Sequence, residues 1–358
     1  MKTTHALLYR YAIPFTEAIT VKGHRLLQRD GIILALKTTG DGLTAYGEIA
    51  PLPGLHLESI ESAEEQLVEV VSKHEFVDHG ILPDGLFPSV RTGLEMAIIN
   101  LDAVLSGEAP AFSYVIENRA KHVPVNALLF GKTVQVIERA EEYFKLGYRT
   151  FKLKVSSVES DSAIRNIETL HRIFGSSIEL RLDANQSFTL DEALDFAGHI
   201  PLESVSYIEE PLKLAEHIGE FHAKTAFRSA LDESLWQKPE LLEQIPPEAL
   251  SALILKPNRL GGISVTLKLV EYAKQHNLLT VFSSAFESGI SLSFYSWLAA
   301  SLSSEPSACG LDTYRYLKQD LLETPFGTEN GLLDAHKLYK EGQIVNKNNL
   351  KLTSLWTL

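Results

Sequence analysis

Short apolar runs alternate with helical patterns along residues 121–324 of this 358-residue chain. Eight of these runs are rich in β-branched and aromatic residues, which is typical of strands. Successive runs lie 23 to 29 residues apart, with centres near positions 126, 153, 182, 208, 231, 254, 281 and 309. This near-constant step predicts a parallel (β/α)₈-type barrel. An open α/β sheet is the alternative, but the sequence has no glycine-rich dinucleotide fingerprint.

Residues 1–120 lack this regular alternation of strand-like and helical runs, which predicts a separate α+β domain. The stretch 31–50 indicates a β-hairpin, and the stretches 59–76 and 89–107 have the apolar spacing of helices. The tail at 325–358 indicates strand and turn, so we expect it to pack against the N-terminal part. The predicted fold is therefore α/β: a modified (β/α)₈-type barrel at 121–324, with an N-terminal α+β capping domain at 1–120 that the C-terminal tail completes.

Composition and charge narrow the class of protein. With 45% hydrophobic residues the chain can form a large core, and its net charge of −13 argues against a nucleic-acid partner. Cys309 is the single cysteine, which excludes an internal disulfide and fits a reducing cytoplasm. The sequence shows neither a secretory signal nor an apolar run long enough for a membrane span. We expect a cytoplasmic protein with a small-molecule partner, and the sequence leaves open whether it forms a homo-oligomer.

Ionisable side chains stand at the C-terminal ends of five successive predicted strands. In chain order they are Lys152 with Lys154, then Asp183, Glu209, Asp232 and Lys256. In a parallel barrel these strand ends meet at one rim, where catalytic groups lie. Three carboxylates at one place repel one another, so we expect a divalent cation between them. All-oxygen ligation favours Mg²⁺ over zinc, and none of the 12 histidines forms an HxH or HExxH cluster.

The lysines indicate the chemistry of this rim. Lys152 and Lys154 alternate with apolar residues, so both ammonium groups point to the same side of the strand. A lysine near a second cation and a metal loses affinity for its proton, so Lys154 is the candidate general base and Lys152 would strengthen that effect. Lys256 would approach the substrate from the opposite side. Such a set suits the removal of a proton α to a carboxylate.

Each fragment by itself has a simpler interpretation. A lone Lys-x-Lys on a strand usually marks a solvated face, LDAN can form a turn, IEEP can be a solvated strand end, and LDES can cap a helix. Their order favours a site, because the charges that a metal and a base need fall at five successive strand ends.

The fragments KLK, LDAN, IEEP, LDES and LKPNRLGG, in this order, resemble the enolase superfamily in its muconate-lactonizing-enzyme-like subgroup. The resemblance covers nearly the whole chain and implies Mg²⁺ as the cofactor and a small carboxylate as the substrate. It implies catalytic Lys154 and Lys256, the metal ligands Asp183, Glu209 and Asp232, and the supporting residues Lys152, Asn185 and Glu210.

Weaker signals within the subgroup resemble the o-succinylbenzoate synthases, the dehydratases of the menaquinone pathway. These signals are YGEIAPLPG, RTGLEMAIINLDAVLSG and VFSSAFESGISL. By loop position in the last of these, Ser284, Ser288 and Gly289 are expected to hold the succinyl or carboxylate end of the substrate. The dipeptide epimerases of the subgroup usually carry Asp-x-Asp at the eighth strand, whereas Asp312 is followed here by Thr-Tyr. This difference counts against dipeptide epimerisation.

The reaction that this resemblance implies is the Mg²⁺-dependent syn-dehydration of 2-succinyl-6-hydroxy-2,4-cyclohexadiene-1-carboxylate to o-succinylbenzoate. Lys154 would remove the α-proton, its protonated form would assist the departure of hydroxide, and Lys256 would stabilise the anionic intermediate by a cation–π contact. Racemisation of N-succinylamino acids remains open, because two facing lysines suit it equally well. A non-catalytic binding protein of this fold is a remote alternative, since all five matched positions are intact.

Overall fold

The computed structural model describes residues 3–38, 42–73, 82–112 and 119–358. Their strands are β1 (Thr3–Val21), β2 (His24–Thr38), β3 (Thr44–Ile49), β4 (His122–Pro124), β5 (Asn126–Leu129), β6 (Thr150–Lys154), β7 (Glu179–Asp183), β8 (Tyr207–Glu209), β9 (Ser229–Leu231), β10 (Leu250–Leu255), β11 (Leu279–Phe282), β12 (Leu332–Asp334) and β13 (Lys351–Thr357). Their α-helices are α1 (Ile60–Ser72), α2 (Pro88–Ser106), α3 (Thr133–Lys145), α4 (Ser160–Phe174), α5 (Leu190–Gly198), α6 (Ile218–Thr225), α7 (Ser234–Gln237), α8 (Leu241–Gln244), α9 (Pro257–Leu260), α10 (Ile263–Gln275), α11 (Gly289–Leu302) and α12 (Ala335–Glu341).

Strands β5 to β11 form a parallel sheet in chain order, as the periodic apolar runs predict. The sheet closes through two isolated bridges, Val125 with Cys309 and Ser283 with Gly310. The eighth predicted strand contributes only these bridges, because the chain enters a 3₁₀ helix at Asp312–Tyr316 directly after them. The predicted α/β class and the modified barrel are confirmed.

The alternation along β6 explains how charged groups enter the barrel. Phe151 and Leu153 belong to the core between the strands and the outer helices, together with Val136 of α3. Since successive side chains on a strand point to opposite faces, Lys152 and Lys154 point into the barrel.

The cap is built on an antiparallel sheet in the order β13-β1-β2-β3. Strand β13 pairs with β1, with His5 opposite Thr357, so the last strand of the C-terminal tail completes the cap sheet as expected, whereas β12 of the tail pairs with β4. Helices α1 and α2 cover this sheet and bury Leu34, Leu67 and Leu94 against it. The turn of the predicted hairpin, at 39–41, and the end of the first predicted helix, at 74–76, lie outside the described residues. The domain boundaries at 120/121 and 324/325 stay a prediction.

In the part of the chain that the structure describes, no helix is long and apolar enough to cross a bilayer.

Candidate active site

A cavity of about 200 Å³ opens at the C-terminal ends of the barrel strands. Tyr207, Ile254 and Val281 line it and form a small apolar cluster with Ala230 and Ala252 inside the barrel. The charged and amide side chains that line the cavity include Lys152, Lys154, Asp183, Asn185, Glu209, Asp232 and Lys256. The structure therefore brings together both predicted catalytic lysines, all three predicted metal ligands and two of the predicted supporting residues.

Strand register places these groups at one level. Lys154 pairs with Asp183 across β6 and β7, and Asp183 pairs with Glu209 across β7 and β8. The Nζ atom of Lys152 lies 2.8 Å from Asp183 Oδ2 and 2.7 Å from Glu209 Oε1. Lys154 Nζ lies 2.5 Å from Asp183 Oδ2 and 2.7 Å from Asn185 Oδ1. Two lysines thus share one carboxylate.

The third carboxylate pairs with the lysine on the far side of the barrel. The ammonium of Lys256 donates to Asp232 Oδ2 and lies 5.4 Å from the ring centroid of Trp236. Burial lowers the pKa of Lys256, but the carboxylates of Asp232, Glu233 and Glu209 together outweigh it, so that the pKa lies above its ordinary value. Lys256 is therefore a fixed cation in this arrangement.

Burial and charge act in opposite directions on the ligand carboxylates. Burial would raise the pKa of Asp183, but the ammonium groups of Lys152 and Lys154 hold that pKa well below its usual range. Burial, reinforced by repulsion from Asp183, raises the pKa of Glu209 to about 8. Burial also lowers the pKa of Lys152, but Asp183 and Glu209 raise it well above its ordinary value. Lys152 therefore stays charged between two carboxylates.

Two carboxylate oxygens of this set are buried without a hydrogen-bond partner, Glu209 Oε2 and Asp232 Oδ1. An unpaired buried acceptor of this kind is costly, and a hard divalent cation is a partner that satisfies carboxylate oxygens. As they stand, no three acidic, histidine or cysteine side chains within the described ranges are gathered closely enough to hold a metal ion. The donor chemistry fits a cation such as Mg²⁺, while in this arrangement lysine ammonium groups lie against the same carboxylates.

Glu210 lies behind the cavity and supports the end of β9. Its Oε1 accepts the backbone N–H groups of Asp232 at 2.7 Å and Ser234 at 2.8 Å. Its Oε2 accepts the hydroxyl of Ser234 at 2.8 Å. Asn185 supports the site differently, since its Nδ2 donates to Glu233 Oε1 at 3.2 Å.

The three expected substrate-binding residues separate in the structure. Ser284 lines the cavity, and its hydroxyl lies 2.8 Å from that of Thr313. Ser288 and Gly289 are not among the lining residues. The backbone N–H and the hydroxyl of Ser288 both donate to Glu48, each at 2.9 Å, and Gly289 N–H donates to an oxygen of Asp320 at 2.8 Å. In this arrangement the polar groups of Ser288 and Gly289 bind these carboxylates outside the cavity lining, and a substrate-holding role for the two residues stays a prediction.

Several residues that line the cavity were not predicted from the sequence, among them Asn126, Phe286, Thr313 and Tyr316. Phe286 lies inside the quoted segment VFSSAFESGISL, so the segment was identified but the residue was not. Its backbone φ of 61° is in the left-handed region, for which a phenylalanine gives no sequence signal.

Comparison with known proteins identifies the family of the chain. A family model described as enolase C-terminal domain-like matches residues 135–339, and one described as MenC, N-terminal domain, matches residues 3–101. A dipeptide epimerase from Enterococcus faecalis, solved with Mg and the dipeptide L-Leu-L-Tyr, superimposes with a TM-score of 0.76 at 20% identity, over 93% of this chain and 97% of that one. At this identity the likeness shows the fold alone.

Two curated relatives have higher sequence identity. Protein PHYLLO, chloroplastic, from Arabidopsis thaliana is 31% identical over 89% of this chain, which spans only 22% of the length of that protein. An o-succinylbenzoate synthase from Haemophilus influenzae is 31% identical over 88% of this chain and 91% of its own length. The chain therefore belongs to the enolase superfamily, and within it to the family of the o-succinylbenzoate synthases that it matches over most of its length.

Proposed function

We propose that the protein is a Mg²⁺-dependent o-succinylbenzoate synthase that dehydrates 2-succinyl-6-hydroxy-2,4-cyclohexadiene-1-carboxylate. One observation carries the proposal: Lys154 of β6 and Lys256, directly after β10, line one cavity, with three buried carboxyl groups at the ends of the strands between them. Because β6 and β10 are four strands apart in an eight-stranded barrel, they lie on opposite sides of it. The curated synthases that match most of the chain support this choice of reaction.

Asp183, Glu209 and Asp232 would hold the cation. When bound there, Mg²⁺ would stabilise the negative charge that develops on the substrate carboxylate. The division into a cap at 1–120 with 325–358 and a barrel at 121–324 is part of the same proposal, and all residues that line the cavity belong to that barrel range.

Exposure favours Lys154 as the base. Its side chain is 38% exposed, against 15% for Lys152 and 14% for Lys256, so it has the most freedom to reach a bound substrate. Lys154 takes the proton from the carbon α to the carboxylate, and its ammonium returns that proton to the departing hydroxide, which leaves as water. Lys256 is held by Asp232 and the Trp236 ring and stays a cation. It faces the negative charge that develops on the ring of the substrate.

Absorbance-monitored turnover of the cyclohexadiene carboxylate tests this proposal. We expect chelation of Mg²⁺ to abolish turnover and Lys154→Ala to lower kcat by about 10²–10⁴-fold, the usual contribution of a positioned acid or base. Lys224→Ala is the matched control, because Lys224 lies on the surface in an ion pair with Glu220. Absent turnover by a wild-type chain that binds Mg²⁺ would reject the substrate.

Racemisation of N-succinylamino acids is the second candidate, favoured by the same pair of facing lysines. It predicts exchange of the α-proton with solvent deuterium for both enantiomers, with Lys154→Ala stopping exchange of one and Lys256→Ala stopping exchange of the other. A dehydratase alone predicts little exchange of these compounds.

Dipeptide epimerisation is disfavoured by the surroundings of Asp312. One of its carboxylate oxygens accepts the Tyr148 hydroxyl at 2.7 Å and Arg315 Nε–H at 2.9 Å. A carboxylate already paired with a guanidinium is a poor ligand for a substrate ammonium group.

A further inference from the structure

The segment Ser283–Ser288, here called the rim loop, connects β11 to α11 at the mouth of the cavity. Ser283, Ser284 and Phe286 of this loop line the cavity. Phe286 has a backbone φ of 61°, a left-handed conformation that bulky side chains rarely adopt. Such a conformation persists only where the surroundings hold it, so the contacts of the rim loop are informative.

One contact comes from Arg29 of the cap. This arginine is only 1% exposed, and its Nε–H donates to the carbonyl oxygen of Phe286 at 3.2 Å. Its other N–H groups donate to cap carbonyl oxygens, including those of Asp30 and Pro51, each at 2.8 Å. The side chain is therefore fixed to the cap backbone, and it fixes the rim loop in turn.

A second contact holds the C-terminal end of the rim loop. Glu48 of the cap is 1% exposed and accepts the backbone N–H and the hydroxyl of Ser288, each at 2.9 Å. It also accepts the N–H of Ser291 at 3.2 Å, in the first turn of α11, and the hydroxyl of Tyr11. The cap thus binds the rim loop at Phe286, which lines the cavity, and again at Ser288, through buried charged groups.

The ring of Phe286 completes an aromatic surface at the junction of the two domains. It packs edge-on against Phe15 of the cap and against Tyr316, with centroid distances of 5.7 Å in both cases. Tyr316 also lines the cavity. A flat apolar group bound beside these rings gains offset or edge-to-face contacts that an alkyl or polar group does not.

The geometry points to Phe286 as a specificity-determining residue that selects substrates carrying a flat ring next to the reacting carbon, with Arg29 and Glu48 as the positioning residues that hold it. This inference rests on the proposed function, because it assigns the ring of the proposed substrate to the surface formed by Phe286 and Tyr316.

The substitution Phe286→Gly tests the role of the ring, because glycine adopts the left-handed backbone freely. We expect kcat/KM for the cyclohexadiene carboxylate to fall at least tenfold, mainly through KM. Phe286→Tyr, which keeps a ring, should recover much of the loss. Ala226→Gly is the matched control, since Ala226 has a φ of 63° and ends α6 at the opposite side of the barrel. A kcat/KM of Phe286→Gly within twofold of wild type would overturn the inference.

The same question can be asked if the wild type does not turn over the cyclohexadiene, an outcome that rejects the proposed function alone. The readout is then the rate of α-deuterium exchange of N-succinylphenylglycine relative to N-succinylalanine. Phe286→Gly should reduce this ratio at least tenfold, and an unchanged ratio overturns the role of Phe286.

Hydrogen exchange tests the positioning residues without any substrate. In Glu48→Ala, we expect the amides of Ser288 and Ser291 to exchange at least tenfold faster, while those in α10 keep their wild-type rates. If Glu48→Ala does not fold, Ser288→Ala removes one of the hydrogen bonds to Glu48. In this variant the α-deuterium exchange rate of the ring-bearing substrate, relative to that of the ring-free substrate, should fall. Unchanged exchange in folded Glu48→Ala, or an unchanged ratio in Ser288→Ala, would refute the positioning role.

Discussion

Acidification from pH 7.5 to pH 5 is expected to weaken the junction between cap and barrel at His56. Nδ1 of this buried histidine accepts the backbone N–H of Leu52 at 3.0 Å within the cap. Its Nε2 lies 2.9 Å from the carbonyl oxygen of Asn258 and donates to it across the junction. A neutral imidazole satisfies both bonds, whereas a proton on Nδ1 would remove the acceptor for Leu52.

The pKa gives the size and the sign of the effect. Burial lowers the pKa of His56 from 6.5 to about 4, despite the opposing effect of the Glu58 carboxylate. The unfolded chain therefore binds a proton more readily than the folded chain, and stability falls as the pH drops below 6.5, with the full loss reached below about pH 4. The difference of about 2.5 pKa units corresponds to at most about 3.4 kcal/mol, of which about 2 kcal/mol is lost by pH 5.

Urea unfolding of the wild type and of His56→Gln at both pH values measures this term. Glutamine cannot take up a proton, so the variant should lose about 2 kcal/mol less than the wild type between pH 7.5 and pH 5. The other titrating groups contribute equally to both proteins and cancel in the comparison. His199→Gln, at an exposed position, should keep the wild-type difference. Equal losses in the wild type and in His56→Gln would refute the reasoning.

Three other perturbations test the ring beside Lys256, the hydrogen bonds of Glu210 and the cation site. Trp236→Leu is expected to lower kcat about tenfold in steady-state assays, with little change in KM, because the Trp236 ring centroid lies 5.4 Å from the Lys256 ammonium. The kcat of Trp236→Phe should lie between those of Trp236→Leu and the wild type. Glu210→Ala is expected to lower the free energy of unfolding by about 2 kcal/mol, measured by urea titration, because two backbone N–H groups after β9 lose acceptors at 2.7 and 2.8 Å. Mg²⁺ at about 100 times its Kd should stabilise the chain by about 2.7 kcal/mol in thermal unfolding, and Asp183→Asn should remove most of that gain. Equal midpoints with and without Mg²⁺ would contradict the cation site.

The charged residues of the site could be predicted from the sequence because, in a barrel, residues one βα unit apart in the chain lie close together in space. Asp183, Glu209 and Asp232 are 26 and 23 residues apart, and each step is one βα unit that returns the chain to the same rim. Strand alternation then decides which side chains point inward, as it does for Lys152 and Lys154. Neither rule depends on loop conformation, and so the predicted catalytic lysines and metal-ligand carboxylates line the cavity together with Lys152, while Glu210 lies behind it.

Residues after the strand ends could not be placed by the same rules. The rim loop passes through a left-handed residue at Phe286, and after this residue Ser288 donates its polar groups to the cap instead of lining the cavity. Left-handed backbone is normally indicated by Gly, Asn or Asp, so the phenylalanine at position 286 does not indicate this conformation in the sequence. The partner of Ser288 is Glu48, which is 240 positions away in the chain and lies in a different quoted motif. A single sequence does not pair such distant segments.

Charge balance connects cation binding to substrate choice at this site. Lys152, Lys154 and Lys256 lie against Asp183, Glu209 and Asp232, so three lysines and three carboxyl groups meet in one set. A bound dication would make this set net positive, in surroundings where charges interact more strongly than in water. The excess would favour a substrate that carries carboxylates, and it would disfavour one whose ammonium group must lie nearby. Cation and carboxylate should therefore bind cooperatively, each raising the affinity of the other by the same factor.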